Sequence, residues 1–345
     1  VDVAAQYPGT GDNSQGGYVI FDPKQYKERA GLLLLNHIVY TSWASHCDDR
    51  PYTGWIISYN ETTLAQKSVI NVTPNGSEGA IWAAGAGLAA DTSGNIYFLD
   101  ANGTFDTTLN GSGFPVNGDY GNAIMKLSTK KGQLAVSDYF NMYNTVSESN
   151  QDEDLGSGGA MVVPNFKDAS GVLHELVVGA GKDANIYLAN RTNMGKFNSN
   201  NNNQIYQELT GVLAGQVFSA PAFADRSVYY GAVGDHIKAF SFNASSLLNS
   251  TPASATATQF AYPGATPSIS GSLANLILWA TENTSPAVLH AYSAKNLAVE
   301  LYNSNQAAGG RDQFGNGNKF ITPTIANGKV YVGTMNGVGV LGLLP

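Results

Sequence analysis

Three groups of residues in this sequence carry side chains able to do chemistry. His46-Cys47-Asp48-Asp49-Arg50, between Trp43 and Trp55, is the densest polar cluster in an apolar neighbourhood. An imidazole and a carboxylate this close can exchange a proton or ligate a metal, so His46 and Asp48 are candidate catalytic residues. The segment 147–159, SESNQDEDLGSGG, carries Glu148, Asp152, Glu153 and Asp154. Oxygen-rich loops of this kind suit Ca²⁺, a hard cation, and Asp152 and Asp154 are its candidate ligands, although the offsets are not those of an EF-hand. Lys182-Asp183 and Asp235-His236 occupy like turns, and Arg191 and Arg311 add positive charge for a carboxylate, sulfate or sugar-acid ligand. Each group also has a plain structural role open to it: a hydrogen-bonded hairpin, a solvated acidic turn, a turn capped by its own Asp.

These residues are set on a repeated scaffold. Second strands read IVYTSW, NIYFLD, SVYYGA, LILWAT and KVYVGT; third strands read GWIISYNETTL, AIMKLSTKKGQL, IKAFSFNASSL and VLHAYSAKNL. First strands carry small residues: SAPAFA, TPSIS, TPTIA. Val, Ile and Tyr suit a pleated, half-buried surface, and Asn327-Gly328 and Asn336-Gly337 are dipeptides for tight hairpins. The repeat length matches blades of four antiparallel strands, predicting an all-β β-propeller as a single domain over 1–345. Residues 1–31 form an entry strand (1–5) and turn. Blades follow at about 31–73, 87–140, 159–210, 218–263, 266–303 and 319–345. In the fourth blade the outer strand is expected at 259–263, and in the closing blade strands are expected at 320–325, 329–334 and 337–344. That closing blade has three strands and needs a fourth to cover its edge, from 1–5 or from chain preceding Val1.

Composition narrows the function classes. Charged residues make up only 13% of the chain, against about 25% in ordinary globular domains, and there are 39 glycines. The net charge is −8 with no Lys/Arg cluster, which sets nucleic-acid partners aside. No apolar run approaches the ~18 residues of a membrane span. Asn-x-Ser/Thr sequons stand at Asn60, Asn71, Asn75, Asn102, Asn110, Asn190, Asn243, Asn249 and Asn283, most at expected turns. They point to a secreted glycoprotein. The single cysteine, Cys47, then suggests a disulfide to another chain or to a segment outside this one. Nucleophile elbow, phosphate-cradling Gly motif, HExxH and paired-cysteine zinc patterns are absent from the sequence. The segment 198–203, NSNNNN, is low-complexity loop.

GLLLLNHIVYTSWASHCDDRPYTGWIISYNETTL, GNIYFLDANGTFD, DLGSGG, VVGAGKDANIYLANRTNMG and KFITPTIANGKVYVGTMNGVGVLGLLP together resemble a family of secreted bacterial and fungal propellers. Its members are described as pyrroloquinoline-quinone (PQQ)-repeat or quinoprotein-dehydrogenase-like proteins. The resemblance covers nearly the whole chain and implies an eight-bladed ring, with about two blades outside this sequence and the partner of Cys47 among them. It also implies a quinone and Ca²⁺ near the axis, held by Lys182, Arg191 and the acidic loop. Dehydrogenase blades of that family end in Ala-x-Asp-x-x-Thr-Gly-x-x-x-Trp, whereas here the turns read SYNETTLAQKSV, FSFNASSLLNS and AYSAKNLAVEL, and there is no vicinal cysteine pair. The cofactor pattern is thus lost while the blade pattern is kept. The leading expectation is a secreted, glycosylated binding or structural module for carbohydrate or protein, without PQQ; the alternative is a Ca²⁺-dependent quinoprotein-like oxidoreductase. A second chain or an N-terminal segment completing the ring is the other expected partner.

Overall fold

The computed structural model describes residues 2–343, and its contacts divide the chain into two compact units. The first comprises Val1–Asn165 with Glu175–Glu208; the second comprises Phe166–His174 with Leu209–Pro345. Each unit is a series of antiparallel sheets in which consecutive strands pair.

In the first unit, Ile38–Ser45, Trp55–Asn60 and Gln66–Asn71 pair in sequence, with Tyr26–Glu28 and Leu33–Leu35 on the other side of Ile38–Ser45. Ala89–Ala90, Ile96–Leu99, Ala123–Ser128 and Ala135–Asn141 form the next sheet, joined at its edge by Lys196–Phe197 in parallel. Met161–Val162, Leu176–Ala180, Ile186–Asn190 and Gln207–Leu209 form the third. The middle strands are apolar on both faces because both faces are covered. Ile56 and Ile70 of the first sheet share a core with Ile96, Phe98 and Met125 of the second. Tyr97, Leu99 and Phe140 share another with Val177 and Tyr187 of the third. Successive sheets therefore pack face to face, and burying one such side chain is worth about 1.5–3 kcal/mol.

The second unit repeats the plan. Ala222–Ala224, Ser227–Tyr230, Asp235–Ser241 and Ser254–Phe260 pair in order, as do Ser268–Ser270, Ile277–Glu282, Val288–Ser293 and Glu300–Asn303. Tyr229, Ile237 and Ala239 pack against Leu278, Ala280 and Tyr292. The last sheet is Thr324–Ala326, Lys329–Gly333 and Val338–Gly342, whose Val330 and Val332 bury against Leu289.

Several expected boundaries move. The entry strand is Gln6–Pro8, not 1–5; residues 2–5 are outside any strand and Val1 lies outside the described residues. The outer strand expected at 259–263 is Ser254–Phe260, because the Ser/Thr alternation of SATATQF supplies a ladder that Tyr262-Pro263 cannot. The acidic segment begins as a short helix, Thr145–Asn150. The closing blade begins at Thr324 because Phe320 sits at φ 64°, outside the strand region. Asn327 (φ 51°) and Gly328 (φ 71°) form the expected tight hairpin. At Asn336-Gly337 the turn is wider, closed by the Thr334 amide donating to the Gly337 carbonyl at 2.9 Å. The last strand ends at Gly342, and Leu344, which the expectation included, lies outside the described residues.

Candidate functional site

The expected catalytic pair does not meet. Cys47 and Asp48, both at φ 61°, turn the chain so that His46 Nδ1 faces Cys47 Sγ at 3.1 Å, while Asp48 accepts from Tyr52 Oη at 2.6 Å. Arg50 grips Asp12 with two hydrogen bonds of 2.8 and 2.9 Å, and Asp12 also accepts from the Tyr52 amide. The cluster thus anchors the N-terminal segment to its hairpin. Cys47 is exposed as a free thiol.

Asp152 and Asp154 do converge, but on an ammonium. Lys182 Nζ lies 2.8 Å from Asp154 Oδ1 and also contacts Asp152. Burial pushes the fully buried Asp154 upward while Lys182 pulls it back. For Lys182, burial acts downward, but the two carboxylates outweigh it and its pKa is raised. Asp100 is also fully buried, with Oδ2 unpartnered; desolvation holds it well above the usual carboxylate range, and Asp154 adds to the effect. Glu148 is pushed up to about 8 by burial and by Asp183, with Asn144 and Asn122 donating against the shift. Asp183, raised to about 6 by burial, accepts from Tyr187 Oη at 2.6 Å and caps its own turn. Ca²⁺ does not fit Asp152 and Asp154 as they stand, because a protein cation already bridges them.

Arg191 is buried, 4% exposed, with Nη1 3.1 Å from Asp91 Oδ2 and Nη2 on Asn165. Asp91, kept below the usual range by donors including Asn95 and Tyr97, is the partner that sequence reasoning missed. Asp235 binds Lys238 at 2.7 Å and caps the Ala214 amide; the His236 ring lies 3.5 Å from the Gln259 side chain. Arg311 is exposed and paired with Asp312. Within each unit, then, the charged residues expected to converge on a ligand are committed to separate local partners. A quinone would need free cations, and both that were expected to hold it, Lys182 and Arg191, are bound to carboxylates.

A different cluster in the second unit has the form of a binding site. Phe218, Tyr262 and Phe320 stand together, with centroids 5.5 Å (Phe218–Tyr262), 6.0 Å (Phe218–Phe320) and 6.3 Å (Tyr262–Phe320) apart. Phe218 and Phe320 border a narrow cleft of about 10 Å³, room for about one water, whose polar wall is Thr266, Thr281, Asn283 and Asn318. Tyr262 is 45% exposed. Thr281 Oγ1 is buried without a hydrogen-bond partner, and Phe320 holds a left-handed backbone that costs a bulky residue about 1–3 kcal/mol. The cleft itself admits no ligand larger than water, but an exposed aromatic ring with amides beside it can take a ligand that is apolar on one face and hydroxylated at its edge. The signal was in the repeat: Phe218 and Phe320 each lie three residues before the Pro of a first strand, in FSAP and FITP, and Tyr262 leads into the first strand between them.

With 11% identity, the chain is similar in structure to a quinohemoprotein alcohol dehydrogenase from Comamonas testosteroni, at a TM-score of 0.57 over 87% of this chain and 55% of that one. It is likewise similar to quinohemoprotein alcohol dehydrogenase ADHIIG from Pseudomonas putida HK5, with 12% identity and a TM-score of 0.54 over 90% of this chain and 56% of that one. The likeness shows a β-propeller fold, and the chain spans about half the length of these structures. No protein-family model matches the chain, and no curated protein matches it.

Proposed function

We propose that this protein is a secreted, glycosylated β-propeller that binds carbohydrate on the exposed side of the Phe218–Tyr262–Phe320 cluster. The observation that carries the reading is the exposed Tyr262 ring packed against Phe218 and Phe320 beside the neutral amides of Asn283 and Asn318. The C–H bonds of a pyranose face carry partial positive charge and lie well on the negative faces of aromatic rings. Its hydroxyls would reach the side-chain amides of Asn283 and Asn318 beside the cluster. Secretion is supported by the sequons, and no helix among the described residues is long and apolar enough to cross a membrane. Asn110 and Asn249 are exposed and suit glycans, whereas Asn71 is buried and donates its amide to Thr53 at 2.7 Å, leaving no room for one. The quinoprotein alternative gains nothing from Lys182 and Arg191, which are bound to carboxylates.

A glycan array probed with the folded protein tests this. Tyr262→Ala is expected to remove the signal while the far-ultraviolet spectrum stays that of the parent. No glycan bound, or full retention in Tyr262→Ala, overturns the reading.

A further inference from the structure

We infer that the first unit carries a separate binding surface on which an uncharged polysaccharide chain crosses Tyr143. The inference goes beyond the Tyr262 reading and does not depend on it, because every residue it uses lies in the first unit. Tyr143 is 50% exposed and lines two open grooves, of about 610 and 620 Å³, each within the size range of small-molecule sites. One groove is apolar along Leu109, Val146 and Phe197, and the other follows residues 200–203 to Gln207 and Glu208. A ring shared by two grooves suits a chain that continues past it on both sides. The Asn-rich segment 198–203, which reads as featureless loop in the sequence, is shaped by its own side chains. Asn198 Oδ1 accepts from the Asn200 amide at 3.1 Å, and Asn201 Oδ1 accepts from the Asn203 amide at 3.0 Å. Asn202 ties the segment to the ring: its Oδ1 accepts from the Tyr143 main-chain amide at 2.9 Å, and its Nδ2 donates to Glu208 at 3.1 Å. The segment is therefore held in place before a ligand arrives, which lowers the ordering cost of binding. Among the described residues that line the grooves, Glu208 alone is charged, and Asn202 engages its carboxylate. Side-chain amides both donate and accept, as sugar hydroxyls do, and the Tyr143 ring can take the C–H face of a pyranose. An anionic glycan meets no cation in either groove. A protein partner would need a broader apolar centre than Tyr143 and Val146 provide.

The test is calorimetric titration of the full chain carrying Tyr262→Ala, which takes the other proposed site out of the measurement, and Ser112→Ala. The second change removes the Asn110 sequon, so that no glycan grows next to Leu109, and it keeps the turn, because the main-chain amides of residues 112 and 114 still donate to Asn110. The probes are the hexasaccharides of cellulose, xylan, mannan, laminarin and amylose, with oligogalacturonate as the charged control. At least one neutral hexasaccharide is expected to bind, with the same affinity from about 0.05 to 0.5 M salt because no charge pair forms. Adding Tyr143→Ala should weaken that binding about tenfold, the upper range of one aromatic contact. Tyr143→Phe should keep it, since the ring remains. Binding by none of the neutral probes, or equal binding with and without Tyr143→Ala, overturns the inference. Tighter binding of oligogalacturonate than of every neutral probe overturns the uncharged class. Binding seen only when Tyr262 is intact overturns this inference and leaves the Tyr262 reading standing.

Discussion

Removing the ammonium from the buried Asp154–Lys182 pair should destabilise the first unit strongly. In Lys182→Met, Asp154 would remain buried with Asp100 as its electrostatic neighbour and no counter-charge at 2.8 Å. Breaking a buried pair from one side costs about 3–5 kcal/mol. Lys182 retains 16% exposure and water softens the loss, so the lower end, about 3 kcal/mol, is the expected value. For a unit of this size that corresponds to a fall in Tm of about 6–12 °C. Asp154 can escape the penalty by taking up a proton, so the loss should be larger at pH 8 than at pH 5. Adding Asp154→Asn removes the stranded charge and should restore most of the stability, since the exposed Asp152 needs no partner. Scanning calorimetry of the parent, single and double variants at both pH values decides the matter. A single variant that melts with the parent, or a double variant that melts below the single, refutes the reasoning.

Further outcomes follow from the same coordinates. Glu148, Asp183 and Asp119, at about 8, 6 and 6, bind protons more tightly folded than unfolded, so stability should fall as pH rises from about 4.5 to 8. Glu148→Gln should flatten the upper part of that slope in urea titrations; an unchanged slope counts against the burial argument. His290 donates to Glu282 and Glu300 from both ring nitrogens and its pKa is raised by them against the effect of its burial. Its contribution is therefore present at low pH and lost as pH rises through its folded value, and His290→Leu should lower stability more at pH 5 than at pH 9. Intact-mass and peptide mapping of secreted material should find Asn110 or Asn249 occupied and Asn71 bare; a glycan on Asn71 would be incompatible with its packing.

The scaffold was legible because it is written in local patterns that recur. Asn95-Ile96-Tyr97 and Asn185-Ile186-Tyr187 head equivalent strands, and in both the Tyr hydroxyl returns to an Asp of the preceding turn, Asp91 at 2.9 Å and Asp183 at 2.6 Å. Apolar middle strands and small first strands mark sheet after sheet for the same physical reason, burial on both faces. The functional residues were harder to see. Charge attracts attention in a sequence, but Lys182 and Arg191 each found a partner that only the fold brings near; Asp91 is 100 residues from Arg191. The aromatic cleft was overlooked because Phe218, Tyr262 and Phe320 look like ordinary core residues. What distinguishes them is their position before a first strand, where the chain is turning and cannot bury them completely. Boundaries failed where side chains outside the repeat intervene, as at Ser254–Phe260, where a polar ladder displaced the strand expected nearer the Pro.

The most direct test of the central claim is a crystal structure of the protein soaked with the glycan it binds most tightly. A sugar ring stacked on Tyr262 is the predicted result. Sugar density elsewhere on the molecule, with the Tyr262 ring bare, would contradict it.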